Sequence, residues 1–334
     1  MATGTTIQPM LRAMTNPLPV STTMTEAVSR TARGAALAVG AAAAAGTALF
    51  GYGLSQTTRF VVREENLALL PTGSAPIRIL HLSDIHMVPG QELKRRWLHS
   101  LADLKPDLVI NTGDNLGHLR GLESLLAALG PLMAFPGAFV PGSNCYFGPR
   151  PKNPLRYLRK DSSVPRNSPK YQLPWEAMHR AFGAAGWVNM TNRNYSMPVR
   201  GTRLDFTGVD DPHLSYDRFA GWPAGSASSF DAPHLRIALA HAPYQRVLDR
   251  FTASDADLIL AGHTHGGQIC IPGYGALVTN CDLPTWRASG LTTWEWAGKS
   301  TPLNVSAGIG TSRFAPVRIA CPPEAVLLTL SARP

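Results

Sequence analysis

Asp84 and His86 stand two positions apart at the end of a short apolar run, Ile79-Leu80-His81-Leu82. On a strand, residues two apart project to the same side, so this carboxylate and imidazole can grip one metal ion together. An Asp-x-His pair alone is a weak signal, because it arises by chance in many chains. It gains force because further apolar runs stop at Gly113-Asp114-Asn115, at Gly142-Ser143-Asn144-Cys145, at His241 and at Gly262-His263-Thr264-His265. The glycines at 113, 142, 262, 266 and 267 let the backbone turn sharply and approach a ligand closely.

The elements that must carry these residues alternate between strand and helix. Residues 77–82, 107–111, 138–140, 236–240 and 257–261 are short apolar runs that predict buried strands. Residues 91–104 place Leu93, Trp97, Leu101 and Leu104 roughly on one face, which predicts an amphipathic helix closed by Pro106. Further helices are predicted over 122–129, over 175–185 and after His241 through Phe251. Residues 194–199, 203–209, 267–271, 317–319 and 325–330 read as strands of a second sheet, and 304–310 leads back past the site. Asp210-Asp211-Pro212-His213 reads as a turn that either lies near the cleft or, as most such turns are, is only a turn. Five strands thus end in Asp, His or Asn at the carboxyl edge, where open α/β sheets place their sites.

The set Asp84-x-His86, Gly113-Asp114-Asn115, Gly142-Ser143-Asn144, His241 and Gly262-His263-Thr264-His265 resembles the calcineurin-like metallophosphoesterases, in the family's order. It looks most similar to the bacterial membrane-associated phosphodiesterase branch, and the match runs over residues 76–330. The resemblance implies an α/β fold, a four-layer α/β-β/β sandwich with two metal ions between the sheets. Carried over by position, Asp84, His86 and His265 hold one ion, Asn144, His241 and His263 hold the other, and Asp114 bridges both. Oxygen and imidazole ligands without a thiolate suit Mn, Fe or Zn. The implied reaction is hydrolysis of a phosphodiester or pyrophosphate bond by a hydroxide shared between the metals. A lone His or Asp at a strand end is more often a cap or a surface residue; seven in this order are not explained that way.

One position departs from the family. Its third motif reads Gly-Asn-His-Asp/Glu, and the His after the metal-binding Asn helps protonate the leaving group. Cys145 follows Asn144 here, and a thiol is a poor substitute for imidazole at pH 7. Either the substrate's leaving group needs little protonation, or another group such as His118 supplies the proton, or Cys145 merely fills space. Asn115 is a candidate phosphate contact. His81 alternates to the other face of its strand and reads as structural. Protein Ser/Thr phosphatases carry Asp-Arg-Gly after the second motif; Leu116-Gly117-His118-Leu119-Arg120-Gly121 lacks it, which argues against that branch.

The rest of the chain bears on location and partners. Residues 1–33 read as a disordered tail and 34–58, which carry no charge, as a transmembrane anchor or signal segment. Residues 59–75 read as a linker, with room for one short strand at Arg59–Arg63, and 76–334 as the catalytic domain. Basic residues flanking the apolar run favour an inside N-terminus, hence a single-pass plasma-membrane protein with its catalytic domain outside the cytoplasm. The formal charge of +9 admits nucleic acid, an anionic membrane or an anionic substrate without choosing among them. Much of it lies in residues 146–170, where Arg150 and Lys152 are candidate substrate-binding cations directly after Asn144. Residues 280–282 and Arg287 are candidates for shaping the pocket. Four cysteines without a C-x-x-C pair argue against a disulfide scaffold or zinc knuckle. The expected partner is a phosphorylated small molecule or lipid-linked substrate near a membrane. A metal-dependent nuclease is an alternative, although no aromatic residues interleave with the basic ones as a nucleic-acid groove requires. A non-catalytic scaffold is another, although such scaffolds lose ligands and all seven stand here.

Overall fold

A computed structural model describes Met1 and residues 22–149, 171–226, 234–311 and 314–334. The chain divides into two compact units, Met1–Leu49 and Phe50–Pro334. In the first, the described element is helix α1 (Thr22–Gln56), whose last two turns belong to the second. Its middle is rich in alanine, the best helix former. Ser29–Gln56 is long and apolar enough to cross a membrane by length and composition. Residues 22–33, expected in a disordered tail, are helical instead; residues 2–21 lie outside the described residues.

The second unit runs β1 (Val61–Leu70), β2 (Ile77–Leu82), α2 (Glu92–Ser100), β3 (Leu108–Asn111), α3 (Leu122–Leu129), β4 (Gly137–Phe139), α4 (Ser143–Tyr146), α5 (Trp175–Ala184) and β5 (Trp187–Asn189). It continues through β6 (Arg193–Val199), β7 (Thr202–Gly208), β8 (His234–Leu239), α6 (Gln245–Ala253), β9 (Leu258–Ala261), β10 (Cys270–Ile271) and β11 (Gly275–Ala276). It closes with β12 (Gly290–Trp296), β13 (Lys299–Val305) and β14 (Glu324–Ala332). The strands form two six-stranded sheets, ordered β1-β14-β2-β3-β4-β5 and β12-β13-β9-β8-β7-β6, plus the small β10-β11 hairpin. Strands β2 to β5 are parallel, as are β7, β8, β9 and β13, so their carboxyl ends gather at one edge of each sheet.

Strand periodicity of two separates the layers. Ile77, Ile79, Leu108 and Ile110 of the first sheet meet Leu235, Ile237, Leu258 and Leu260 of the second in a core between the sheets. The intervening Leu80, Leu82 and Val109 turn outward to α2, α3 and α5. Ala238, Ile259 and Leu303 turn the other way, onto α6. Each large apolar side chain buried this way contributes about 1.5–3 kcal/mol. The result is the expected layered sandwich of two facing sheets with helices outside.

Several local expectations change. Residues 325–330, expected in the second sheet, lie in β14 between β1 and β2 of the first; residues 267–271 contribute only β10 of the small hairpin, and 317–319 form no strand beyond an isolated bridge at Ile319. Residues 61–70, expected as linker, form β1, which pairs along its length with β14 and extends the first sheet by a strand. Its alternating burial was hidden in the sequence by Arg63, Glu64 and Glu65. In α2 the buried positions are Lys94 and Leu98, while Leu93 is exposed. The helix is rotated about one position from the apolar face read in the sequence, because Lys94 has a partner at the site.

Candidate metal centre

The carboxyl ends of β2, β3, β4, β8 and β9 deliver the predicted residues to one place. Two loops are laced together: Asp84 N–H donates to Gly113 O (2.9 Å), His86 N–H to Asp114 O (2.9 Å) and Met87 N–H to Asn115 O (2.8 Å). Asp84, His86, Asp114, His263 and His265 all take the left-handed conformation, with φ between 45° and 71°. Non-glycine residues adopt it rarely and at a cost, so five at one spot is the signature of a site that surrounding structure over-determines. Close packing demands glycine at two neighbours. A Cβ on Gly142 would collide with Asp114 Oδ1, and one on Gly262 would collide with Ser83 Oγ.

The side chains converge in two groups. In the first, His86 Nε2 lies 3.1 Å from His265 Nε2, and His265 Nε2 lies 3.5 Å from Asp84 Oδ1. In the second, His241 Nε2 lies 3.3 Å from His263 Nδ1, and the Asn144 amide lies 2.8 Å from Asp114 Oδ2. Asp114 faces both: Oδ2 is 3.7 Å from His86 Nε2 and Oδ1 is 3.4 Å from His241 Nε2.

The donor set fits a cation. A carbonyl only accepts, so a ring nitrogen bonded to one carries the proton and leaves the other nitrogen with its lone pair. His241 Nδ1 is on Thr112 O (2.7 Å), His265 Nδ1 on Gly310 O (3.2 Å) and His263 Nε2 on Asn280 O (3.2 Å). The other ring nitrogen of all three points inward, with its lone pair in His263 and His265, and in His241 once its second proton is lost. Asp84 Oδ1 is buried without a hydrogen-bond partner. An orphaned carboxylate oxygen and inward lone pairs are groups that a metal ion satisfies. Asp84, His86 and His265 could hold one, and so could Asp84, Asp114 and His241.

Residues 77–267 match the sequence model described as calcineurin-like phosphoesterase, more than half of the chain. The chain belongs to that family. A Bacillus subtilis relative, the uncharacterized metallophosphoesterase YkuE, is 25% identical over 307 residues, 88% of this chain and 93% of its own. An uncharacterized metallophosphoesterase of Aquifex aeolicus is 27% identical over 275 residues, 79% of this chain and 88% of its own. A bovine transmembrane protein with a metallophosphoesterase domain is 26% identical over 207 residues, which cover 60% of this chain and 43% of that one.

Electrostatics divide the phosphoesterase's site. Burial lowers His86 to about 4 and holds His263 and His265 well below the usual range, so these rings are neutral. Burial also disfavours charge on His241, but the carboxylates of Asp114, Asp84 and Asp211 outweigh it and raise that ring to about 10. Asp84 is pushed up to about 6 by burial.

The other predicted site residues fare unequally. Cys145 is fully buried among core side chains, its sulfur accepting from Gly142 N–H (3.5 Å), and burial pushes its thiol up to about 12. That environment fits the space-filling reading and removes it as a proton donor. Asn115 is buried, and its amide is spent on a reciprocal pair with Asn111 (2.8 and 3.0 Å). It supports the loop from behind. His118 is half-buried, with Nδ1 accepting from Arg120 N–H (3.1 Å). His81 is buried between Thr112 and Asn304, a tie between the sheets. Arg150 and Lys152 lie outside the described residues. Asn280 reaches the site through its carbonyl, whereas Arg287 stacks on Trp286, 4.1 Å from the ring centre.

Several participants carry little or no signal in the sequence. The turn Asp210-Asp211-Pro212-His213, of ordinary composition, reaches the second group. Asp211 is buried with one oxygen unpartnered, and His213 lies on His263 (centroids 4.9 Å apart) with Nδ1 2.9 Å from Tyr244 Oη. Behind the first group, Lys94 Nζ donates to Ile85 O (2.8 Å). The fully buried Arg318 guanidinium donates to the carbonyls of Ala307 (2.7 Å), Gly308 (3.0 Å), Gly310 (2.7 Å) and His265 (3.4 Å). The available signal was a single cation set inside an apolar run, Val317-Arg318-Ile319.

Proposed function

We propose that the chain hydrolyses phosphodiester or pyrophosphate bonds at a two-metal centre, on a membrane-associated or nucleotide-linked substrate. The observation that carries this reading is Asp114, which turns one carboxylate oxygen to each of two imidazole groups. In this reading Asp84, His86 and His265 hold one ion, Asn144, His241 and His263 hold the other, and Asp114 is shared. Two divalent ions so held supply an activated water at neutral pH and neutralise charge on the phosphoryl oxygens. The donor set suits Mn, Fe or Zn.

The chain's own residues contribute geometry and charge state. Backbone carbonyls of Thr112, Gly310 and Asn280 fix three ring orientations, so no tautomer has to change on binding. Burial keeps His86, His263 and His265 neutral, while His241 gives up its proton to ligate. With Cys145 sealed in the core, the third motif offers no proton to the leaving group, which favours pyrophosphates and activated diesters over simple monoesters. The apolar helix Ser29–Gln56 supports a single-pass membrane anchor, and the basic residues before it favour a catalytic domain outside the cytoplasm.

The test is a panel of phosphomonoesters, diesters and pyrophosphates, assayed on the full chain with Mn. Hydrolysis of bis-p-nitrophenyl phosphate or a pyrophosphate ahead of monoesters is expected. An intact panel sinks the enzymatic reading, and preference for monoesters sinks the substrate class.

A further inference from the structure

We infer that the β10-β11 hairpin and Phe314 form a bilayer-docking surface. The inference rests on reading the apolar helix as a membrane anchor. Residues 268–280 contain no charged side chain, an unusual composition for a surface loop. Its apolar side chains face outward: Ile269 is 40% exposed, Ile271 49%, Tyr274 72% and Leu277 50%. Phe314 is 47% exposed, and its neighbour Ala315 accepts a hydrogen bond from Gln268 Nε2 (2.7 Å), which joins the two segments. Contiguous exposed apolar side chains of this kind mark a surface meant for a protein or membrane partner.

The point where the chain leaves the apolar span selects the membrane. The last turns of α1 are fastened to the same region: Arg318 N–H donates to Gly53 O (3.0 Å), and a Cβ on Gly53 would lie 3.1 Å from Val317 Cβ. The next residue, Ile319, bridges to Ile269, and Cys270 N–H donates to Ile319 O (2.9 Å). An apolar span of ~20 residues running from residue 35 emerges from the hydrocarbon near residue 54. Gly53 therefore sits at head-group level. The hairpin lies two strand-like spacings from it, roughly 10 Å. At that depth a tyrosine and aliphatic side chains are suited to the interface.

Arg318 gives the docking a consequence for the site. Its backbone holds the helix end, and its guanidinium holds the carbonyls of His265, Gly308 and Gly310. The hairpin itself starts five residues after His265. Membrane contact and metal centre thus share one support, which suits phosphoester groups carried at the bilayer surface.

The experiment places photoreactive p-benzoylphenylalanine singly at Tyr274, at Val39 inside the span, or at Tyr195 on β6, where the native tyrosine is 42% exposed. The full chain is reconstituted in vesicles of phosphatidylcholine with phosphatidylglycerol, irradiated and analysed by mass. Phospholipid adducts at positions 39 and 274, with none at 195, are expected. An adduct at 39 without one at 274 overturns the docking surface and leaves the anchor standing. A cross-link from 274 to a second copy of the chain also overturns it and assigns the patch to self-association. No adduct at 39 overturns the anchor and the docking surface together, and leaves hydrolysis of the substrate panel as a separate result.

Discussion

The two halves of the proposed metal centre are built from similar candidate ligands on different foundations. Behind Asp84, His86 and His265 stand two buried basic groups, Arg318 and Lys94, the latter lowered to about 7 by burial, which hold backbone carbonyls of the ligand loops. Around His241, His263 and Asn144 stand the buried carboxylate of Asp211, the His213–Tyr244 pair and the Asn280 carbonyl. A buried cation repels an incoming metal ion and a buried carboxylate attracts it. Burial leaves Lys94 and Asp211 each near 7, so neither is fully charged at neutral pH, and the lasting difference between the halves is the Arg318 guanidinium behind the first. Similar ligand types thus do not imply similar sites; what lies one layer behind them sets the difference.

The sharpest way to break the comparison is to remove what both halves share. Asp114→Asn should lose both ions and lower kcat/KM by about 1,000-fold or more, since it withdraws charge from each half. His265→Ala should cost comparable activity but retain the ion of the second half, as metal analysis of the purified variant will read. If His265→Ala emptied both halves, their division would be wrong.

Next comes the floor of the first half. Arg318→Met strips four carbonyls of a buried donor and should destabilise the fold by roughly 3 kcal/mol. Thermal unfolding measures that loss. The first-half ion should dissociate more readily than the second-half ion in the same variant.

The pH dependence should separate the halves as well. His241 stands near 10 without metal, so a proton and a metal ion compete for Nε2 throughout the neutral range. Apparent affinity of the second half should rise with pH, about tenfold per unit, until His241 is neutral. In the first half the rings are already neutral, and Asp84, raised to about 6, is the group that protonates. Its affinity should fall below about pH 6 as Asp84 protonates, after a shallow change near 7 where Lys94 titrates. Calorimetry in buffers of different ionisation enthalpy counts the protons released. The smallest effect belongs to Cys145→Ser, which should cost about 1 kcal/mol of stability and leave turnover unchanged if the thiol only fills space.

Much of this was legible in the sequence because chain order and local chemistry coincide there. Apolar runs ending in Asp84-x-His86 or Gly262-His263-Thr264-His265 announce strand and ligand in one stretch. The period of two in Ile77, Ile79 and Leu80, Leu82 foretold strands buried on both faces. What stayed hidden depends on long-range partners. Lys94 is buried because a carbonyl awaits it, and β1 is a strand because β14, far along the chain, offers an edge. Asp211 and His213 lie in a turn of ordinary composition, and only the second sheet's path carries them to His263. The pairing of Asn115 was hidden for the complementary reason: its neighbour Asn111, in a strand, takes up its amide.

The central claim is that one carboxylate joins two metal-holding groups, and metal content of the purified full chain tests it most directly. Elemental analysis should give two divalent ions per wild-type chain, one in His265→Ala and none in Asp114→Asn. One ion in the wild type, or two retained in Asp114→Asn, would contradict it.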